Sequence, residues 1–139
     1  MEFLFPLSII VFLKIFLLFR LIYMATRYTL SKDIRLSQFR LYKGDFPDDL
    51  LSARQHYRNM FEVPVLFYLL CLLHIILNNY NQLDIILIWG FVVFRLIHFI
   101  IRLRNQKSIN VIPRTLIFLI SLIFLTLGWI NICLTQLYK

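Results

Sequence analysis

Residues 59–103 read NMFEVPVLFYLLCLLHIILNNYNQLDIILIWGFVVFRLIHFIIRL, and this stretch decides the fold. Apolar side chains dominate from Met60 to Leu77, stop at Asn78-Asn79-Tyr80-Asn81 and resume from Leu83 to Leu103. At about 1.5 Å of rise per helical residue, each arm (about 59–78 and 83–103) suffices to cross ~30 Å of hydrocarbon. The Asn cluster between them reads as a tight turn, so the arms form an antiparallel pair. Working outward, Phe3 to about Met24 is an earlier apolar run, and 113–137 is a later one that opens on Pro113, a favoured first helical position. The first run has no basic leader and no small-residue cleavage site, so it reads as a retained span rather than a signal peptide. The expectation is an all-α integral membrane protein, a single four-transmembrane-helix bundle over residues 1–139. No soluble domain is expected around the spans, and no internal repeat is visible.

Composition agrees. The 139 residues are 60% hydrophobic with a mean hydropathy of +0.77, more apolar surface than a soluble domain of this size can bury. The net charge of +8 would suggest nucleic acid in a soluble protein, but here the cations cluster in two connections. The first, from Ala25 to about Arg58, contains Arg27, Lys32, Arg35, Arg40, Lys43, Arg54 and Arg58, with a turn signal at Lys43-Gly44-Asp45-Phe46-Pro47. The second helix starts near Asn59 or already at Asp48 or Asp49. The third connection carries Arg102, Arg104, Lys107 and Arg114, and the turn at 78–81 carries no cation. The positive-inside rule puts both basic connections in the cytoplasm and both termini outside. Topology then accounts for the basicity without nucleic acid, and the lipid bilayer is the first partner. Cys71 and Cys133 make no metal spacing and no disulfide framework; both read as small buried apolar groups.

Several polar residues lie where hydrocarbon is expected. Arg54, Arg58, Asn59 and Glu62 fall in the first turns of the second span, and Arg95, His98 and Arg102 in the last turns of the third. All therefore belong to the same, cytoplasmic, half of the bundle. Asn59 and Glu62 share a helix face, Arg58 and Glu62 can meet four residues apart, and Arg95, His98 and Arg102 form one stripe. Facing stripes would make a polar cleft suited to a zwitterion of net negative charge, guanidinium groups gripping its carboxylates and Glu62 its ammonium. The bland alternatives are arginines snorkelling to lipid phosphates and a Glu62–Arg95 salt bridge between the two helices. Lys14, near the middle of the first span, is too deep for snorkelling and should face the bundle interior or a wet cleft. Bis-histidine haem fails on depth, since His74 and His98 stand roughly 18 Å apart along the bundle and His56 is expected outside the hydrocarbon. Too few ligating residues cluster for a metal site.

The segment Arg54-Gln-His-Tyr-Arg-Asn59-Met-Phe-Glu62-Val-Pro64-Val-Leu-Phe67 resembles the second-helix signature of the MAPEG superfamily, the membrane-associated proteins in eicosanoid and glutathione metabolism. The shared pattern is an Asn, a Glu three residues later, then a Pro and an apolar run, closest to the bacterial branch. Phe94-Arg95-Leu-Ile-His98 resembles the family's third-helix Arg followed three residues later by Tyr or His. The resemblance implies a homotrimer in a bacterial inner membrane, with glutathione bound between subunits near the cytoplasmic face. It implies that Asn59, Glu62 and His98 contact glutathione, that Arg54, Arg58 and Arg102 hold its carboxylates, and that Arg95 or Arg104 stabilises its thiolate for attack on a lipophilic substrate. The chain departs from the pattern at Gln55, where relatives usually carry Arg, and at Arg102, where they carry a second Tyr. Their fourth-helix catalytic Arg has Arg104 and Arg114 as candidates, across a poorly aligned 105–112 segment.

The functions in competition are thus a glutathione-dependent transferase or peroxidase, and a non-catalytic protein binding an anionic lipid headgroup or a partner in the same basic cleft. A transporter lacks support, since no Gly/Pro-broken helix pair or repeat is present.

Overall fold

A computed structural model describes residues 2–39, 44–104 and 111–137. Its helices are α1 (Leu4–Leu30), the single-turn α2 (Leu36–Phe39), α3 (Asp48–Leu77), α4 (Gln82–Arg104) and α5 (Ile112–Leu137). Among the described residues there is no strand, and the four long helices are long and apolar enough to cross a membrane. Arg40 and Lys43, with most of the 105–112 segment including Lys107, lie outside the described residues.

The four long helices run up and down. α4 packs most closely on α5 and α1 on α3, with lesser α1–α4 and α3–α5 contacts. The α3 and α4 backbones stand further apart, and large side chains fill the space between them, including the Phe67–Phe91 ring stack at 4.4 Å. The main core is Ile10, Phe67, Leu70, Cys71, Ile88, Phe91, Val92, Leu125 and Ile132. Glycine sets the α4–α5 spacing: a Cβ on Gly90 would lie 2.4 Å from the Phe124 ring. Elsewhere the apolar surface faces outward, as in Phe12, Phe16, Phe19, Leu66, Leu69, Ile86 and Ile123. In water such a surface would not remain bare; in a bilayer it is the contact with the solvent.

Two helices overrun the apolar stretches. α1 continues to Leu30 rather than ending near Met24, and α3 already begins at Asp48. Asp48 and Asp49 in the first turn of α3 suit its N-terminal dipole, and Tyr28 Oη donates to Asp49 Oδ2 at 2.7 Å. Ile34, Phe46 and Leu50 pack with Leu21, Met24 and Phe39, folding the first connection onto the ends of α1 and α3. Much of the sequence read as basic loop is therefore helix, including Arg27, Arg54 and Arg58.

The opposite end is closed by the turn at 78–81. Asn78 ends α3 in the left-handed conformation, with φ of 46°, a geometry Asn tolerates better than most residues. Asn81 caps α4 reciprocally: its Oδ1 accepts from the Asp84 backbone N–H at 3.0 Å, and its own N–H donates to Asp84 Oδ2 at 3.0 Å. This is a capping box with Asp in the third position. Asp84 Oδ1 also accepts from Asn131 Nδ2 at 2.7 Å and faces His74 Nε2 at 3.6 Å. Phe3, the residue just before α1, stacks on His74 with centroids 4.8 Å apart, so this end ties α3, α4 and α5 to the start of α1. Of the two cysteines, Cys71 is buried as expected. Cys133 is exposed on α5, correcting the expectation for it.

Candidate functional site

A single stripe of α3 opens on a cleft at the basic end. Positions 48, 51, 52, 55, 58, 59 and 62 recur at three- and four-residue spacing, so their side chains share one helix face. Asp48, Leu51, Ser52, Arg54, Gln55, Arg58, Asn59 and Glu62 line a cleft of about 540 Å³ together with Arg114 from the first turn of α5. That volume lies within the range of about 300–1,000 Å³ common for small-molecule sites. Arg54, Arg58, Asn59 and Glu62 are thus brought together as expected. Asp48, Ser52 and Gln55 join them, and the same spacing along α3 would have found all three.

The α4 stripe also assembles, with Arg95, His98 and Arg102 all buried. Arg102 links the stripes. Its Nη2 donates to Gln55 Oε1 at 3.3 Å. With the Asn59 amide assigned to the orientation that satisfies both neighbours, Asn59 accepts from Arg102 Nη1 at 2.6 Å and donates to the Gln55 backbone carbonyl at 3.2 Å. Gln55, where an Arg was expected from the resemblance, accepts from the Arg that replaces a Tyr on α4. The two departures from the family pattern contact each other.

Arg95 is 0% exposed, and its Nε, Nη1 and Nη2 have no hydrogen-bond partner among the described residues. Its guanidinium lies 5.0 Å from the Phe118 ring centroid and 5.6 Å from that of Phe91. Ring faces attract a cation without satisfying its N–H donors. The Glu62–Arg95 bridge does not form. Glu62 pairs instead with Arg58 at 3.5 Å, and both side chains are about two-thirds exposed, 64% and 66%. The reason is rotational: Glu62 lies on the outward flank of α3, whereas Arg95 turns into the bundle.

His98 sits behind the cleft against the His56 ring, with centroids 6.5 Å apart. His56 is buried among the helices. Both ring nitrogens of His56 and His98 Nδ1 lack hydrogen-bond partners among the described residues. His74 is at the far end beside Asp84. No group of three metal-ligating side chains occurs among the described residues. Arg104, the last residue of α4, is exposed and does not line the cleft, whereas Arg114 does.

Four helices long and apolar enough to cross a membrane, with a cationic cleft at one end, define a polytopic membrane protein. The model of the MAPEG family matches residues 3–134, nearly the whole chain. The chain belongs to the MAPEG family and is a multi-pass membrane protein. No curated protein and no solved structure matches it.

Proposed function

We propose that the basic-end cleft binds glutathione and that the protein is a glutathione-dependent transferase or peroxidase acting on lipophilic substrates drawn from the bilayer. The observation that carries this is the charge arrangement: Arg54, Arg58 and Arg114 surround a cavity that also holds Glu62 and Asp48. Glutathione has two carboxylates, one ammonium and a thiol. The guanidinium groups take the carboxylates and Glu62 the ammonium, while Asn59, held by Arg102, takes the peptide backbone. Arg114 at the cleft wall, or Arg95 once its buried donors meet an anion, stabilises the thiolate that attacks the substrate.

A homotrimer is part of this proposal. Arg58 and Glu62 stand on a flank of α3 that continues as exposed Phe61, Val65, Leu66 and Leu69, and a second copy there would complete the open side of the cleft. The basic end faces the cytoplasm by the positive-inside rule, in a bacterial inner membrane as the family resemblance implies.

The test is calorimetric titration of glutathione into detergent-purified protein beside the Glu62→Ala and Asn59→Ala variants. Binding in the micromolar-to-millimolar range that both variants weaken supports the proposal; no binding by folded wild type ends it. One observation favours a second function. Arg58, two-thirds exposed next to lipid-facing Phe61, also suits an anionic lipid phosphate. A headgroup site would keep or gain affinity in Glu62→Gln, whereas a glutathione site would lose it.

A further inference from the structure

Lys14, expected in the bundle interior or a wet cleft, instead places its Nζ over the exposed Phe61 ring, 3.8 Å from the centroid. The basic residue that acts from behind the cleft is Arg102. It is 3% exposed and does not line the cleft, yet it holds both amides that do. Its Nη2 donates to Gln55 Oε1 at 3.3 Å and its Nη1 to the Asn59 side-chain oxygen at 2.6 Å. A guanidinium has donors and no acceptor, so only the oxygen end of an amide can face it. A side-chain amide left to itself offers a donor or an acceptor according to which way it is turned. Arg102 removes that choice. Gln55, exposed on the cleft wall, is left to offer Nε2. Asn59 is left to offer the second hydrogen of its amide nitrogen, the first being donated to the Gln55 backbone carbonyl at 3.2 Å. The two amides lie about 6 Å apart along α3, on the same face. With Arg58 beside them, this part of the wall carries donors and no acceptor.

We propose that Arg102 is a positioning residue that sets the polarity of this wall and so makes the cleft select a ligand carboxylate over a carboxamide, a role that rests on the glutathione reading. With the ligand's ammonium at Glu62, an extended three-residue peptide reaches about 10–11 Å. Gln55 stands about 10.5 Å from Glu62 along α3, at ~1.5 Å per residue. The far carboxylate of the peptide, on its glycine, therefore meets Gln55 Nε2. An ionised carboxylate only accepts, and it suits a wall of donors. A carboxamide in its place turns its own N–H groups toward other donors, and that mismatch is what gives selectivity. Gln55 and Arg102 form one unit: the guanidinium turns the amide, and the amide carries the effect into the cleft.

The experiment is calorimetric titration of glutathione, and of glutathione with its glycine carboxylate converted to the carboxamide, into wild type, Arg102→Met, Gln55→Met and Gln55→Glu. The quantity read is the ratio of the two affinities. Wild type is expected to prefer the acid, and Arg102→Met and Gln55→Met to lower that preference about tenfold, the weight of one hydrogen bond to a charged group. Gln55→Glu, which keeps an oxygen for Arg102 and turns a second one to the cleft, is expected to reverse the preference. A purely structural Arg102 would weaken acid and amide alike, so an unchanged ratio in Arg102→Met would overturn the proposal. Gln55→Met retains the Arg102 charge. A ratio that falls in Arg102→Met but stands in Gln55→Met would therefore overturn it too, by showing that Arg102 acts through its charge alone. Gln55 is exposed, so its variants test the unit without disturbing the core. Folded wild type that binds neither ligand removes the glutathione reading and this role with it, whereas binding with an unshifted ratio removes the role alone.

Discussion

Asp84 at the turn end and Arg95 toward the basic end are buried to the same degree but surrounded in opposite ways. At the turn end, the Asp84 carboxylate is surrounded by the Asn131 amide, the Asn81 backbone N–H and the His74 ring, all supplied by the protein. Toward the basic end, Arg95 is as deeply buried but, among the described residues, has no hydrogen-bond acceptor for any of its guanidinium nitrogens. A buried polar group without a partner is costly, so a protein that keeps one gains something other than stability from it. The turn end fastens the helices, and under the proposed function the open donors of Arg95 are what a ligand would meet.

The contrast can be broken first at Asp84. Asp84→Ala leaves His74 and Asn131 facing an empty space and should cost about 3–5 kcal/mol, the range for removing one member of a buried polar pair. Thermal unfolding in detergent measures it, and a wild-type midpoint would mean the turn end is not the fastening. Arg95→Met should move stability the other way. Exchanging an unpartnered buried cation for an apolar side chain is expected to be neutral or to stabilise by up to about 4 kcal/mol, extending what is known for buried ion pairs. The same variant should lose glutathione affinity; a lower midpoint would show that Arg95 supports the fold rather than a ligand.

A third substitution asks whether the ends are coupled through the α4–α5 seam. Gly90→Ala drives a methyl into the Phe124 ring and should destabilise by about 1–3 kcal/mol. If the ends act separately, ligand affinity stays as it was. The smallest effect is expected at the cleft rim. Arg58→Ala removes an ion pair whose side chains are 66% and 64% exposed, and stability should change by less than about 1 kcal/mol. Glutathione titration of the same protein should nonetheless weaken, placing the value of Arg58 in binding.

The basic end was more legible in the sequence than the turn end. Arg95, His98 and Arg102 announce themselves as polar residues at helical spacing in an apolar run, and they do share a buried face. Asn59 and Glu62 follow the same logic. What the spacing could not give is rotation. α3 is apolar on nearly every side above Glu62, so nothing in its pattern says which flank meets α4, and the outward turn of Glu62 toward Arg58 had to be seen. The turn-end network escaped notice for a different reason. Asn81 and Asp84 have the spacing of a capping box, but Asn131 comes from a helix 47 residues beyond Asp84, a distance no local pattern spans. The overrun of α1 to Leu30 was hidden because Thr26, Arg27 and Thr29 read as loop residues, although Thr29 bonds back to the Ala25 carbonyl within the helix.

The four-residue turn at 78–81 also bears on how the chain enters its membrane. It is too short for α3 and α4 to be threaded at separate times, and it has no charge to hold it back. So short and uncharged a turn favours integration of the two helices as one hairpin. His74 and Asp84 sit on opposite arms, ten residues apart in sequence, so they can meet as soon as the hairpin closes. Phe3 and Asn131 then complete the cluster when α1 and α5 dock. On that route the buried Asp84 carboxylate has a companion before the bundle that finally encloses it is complete.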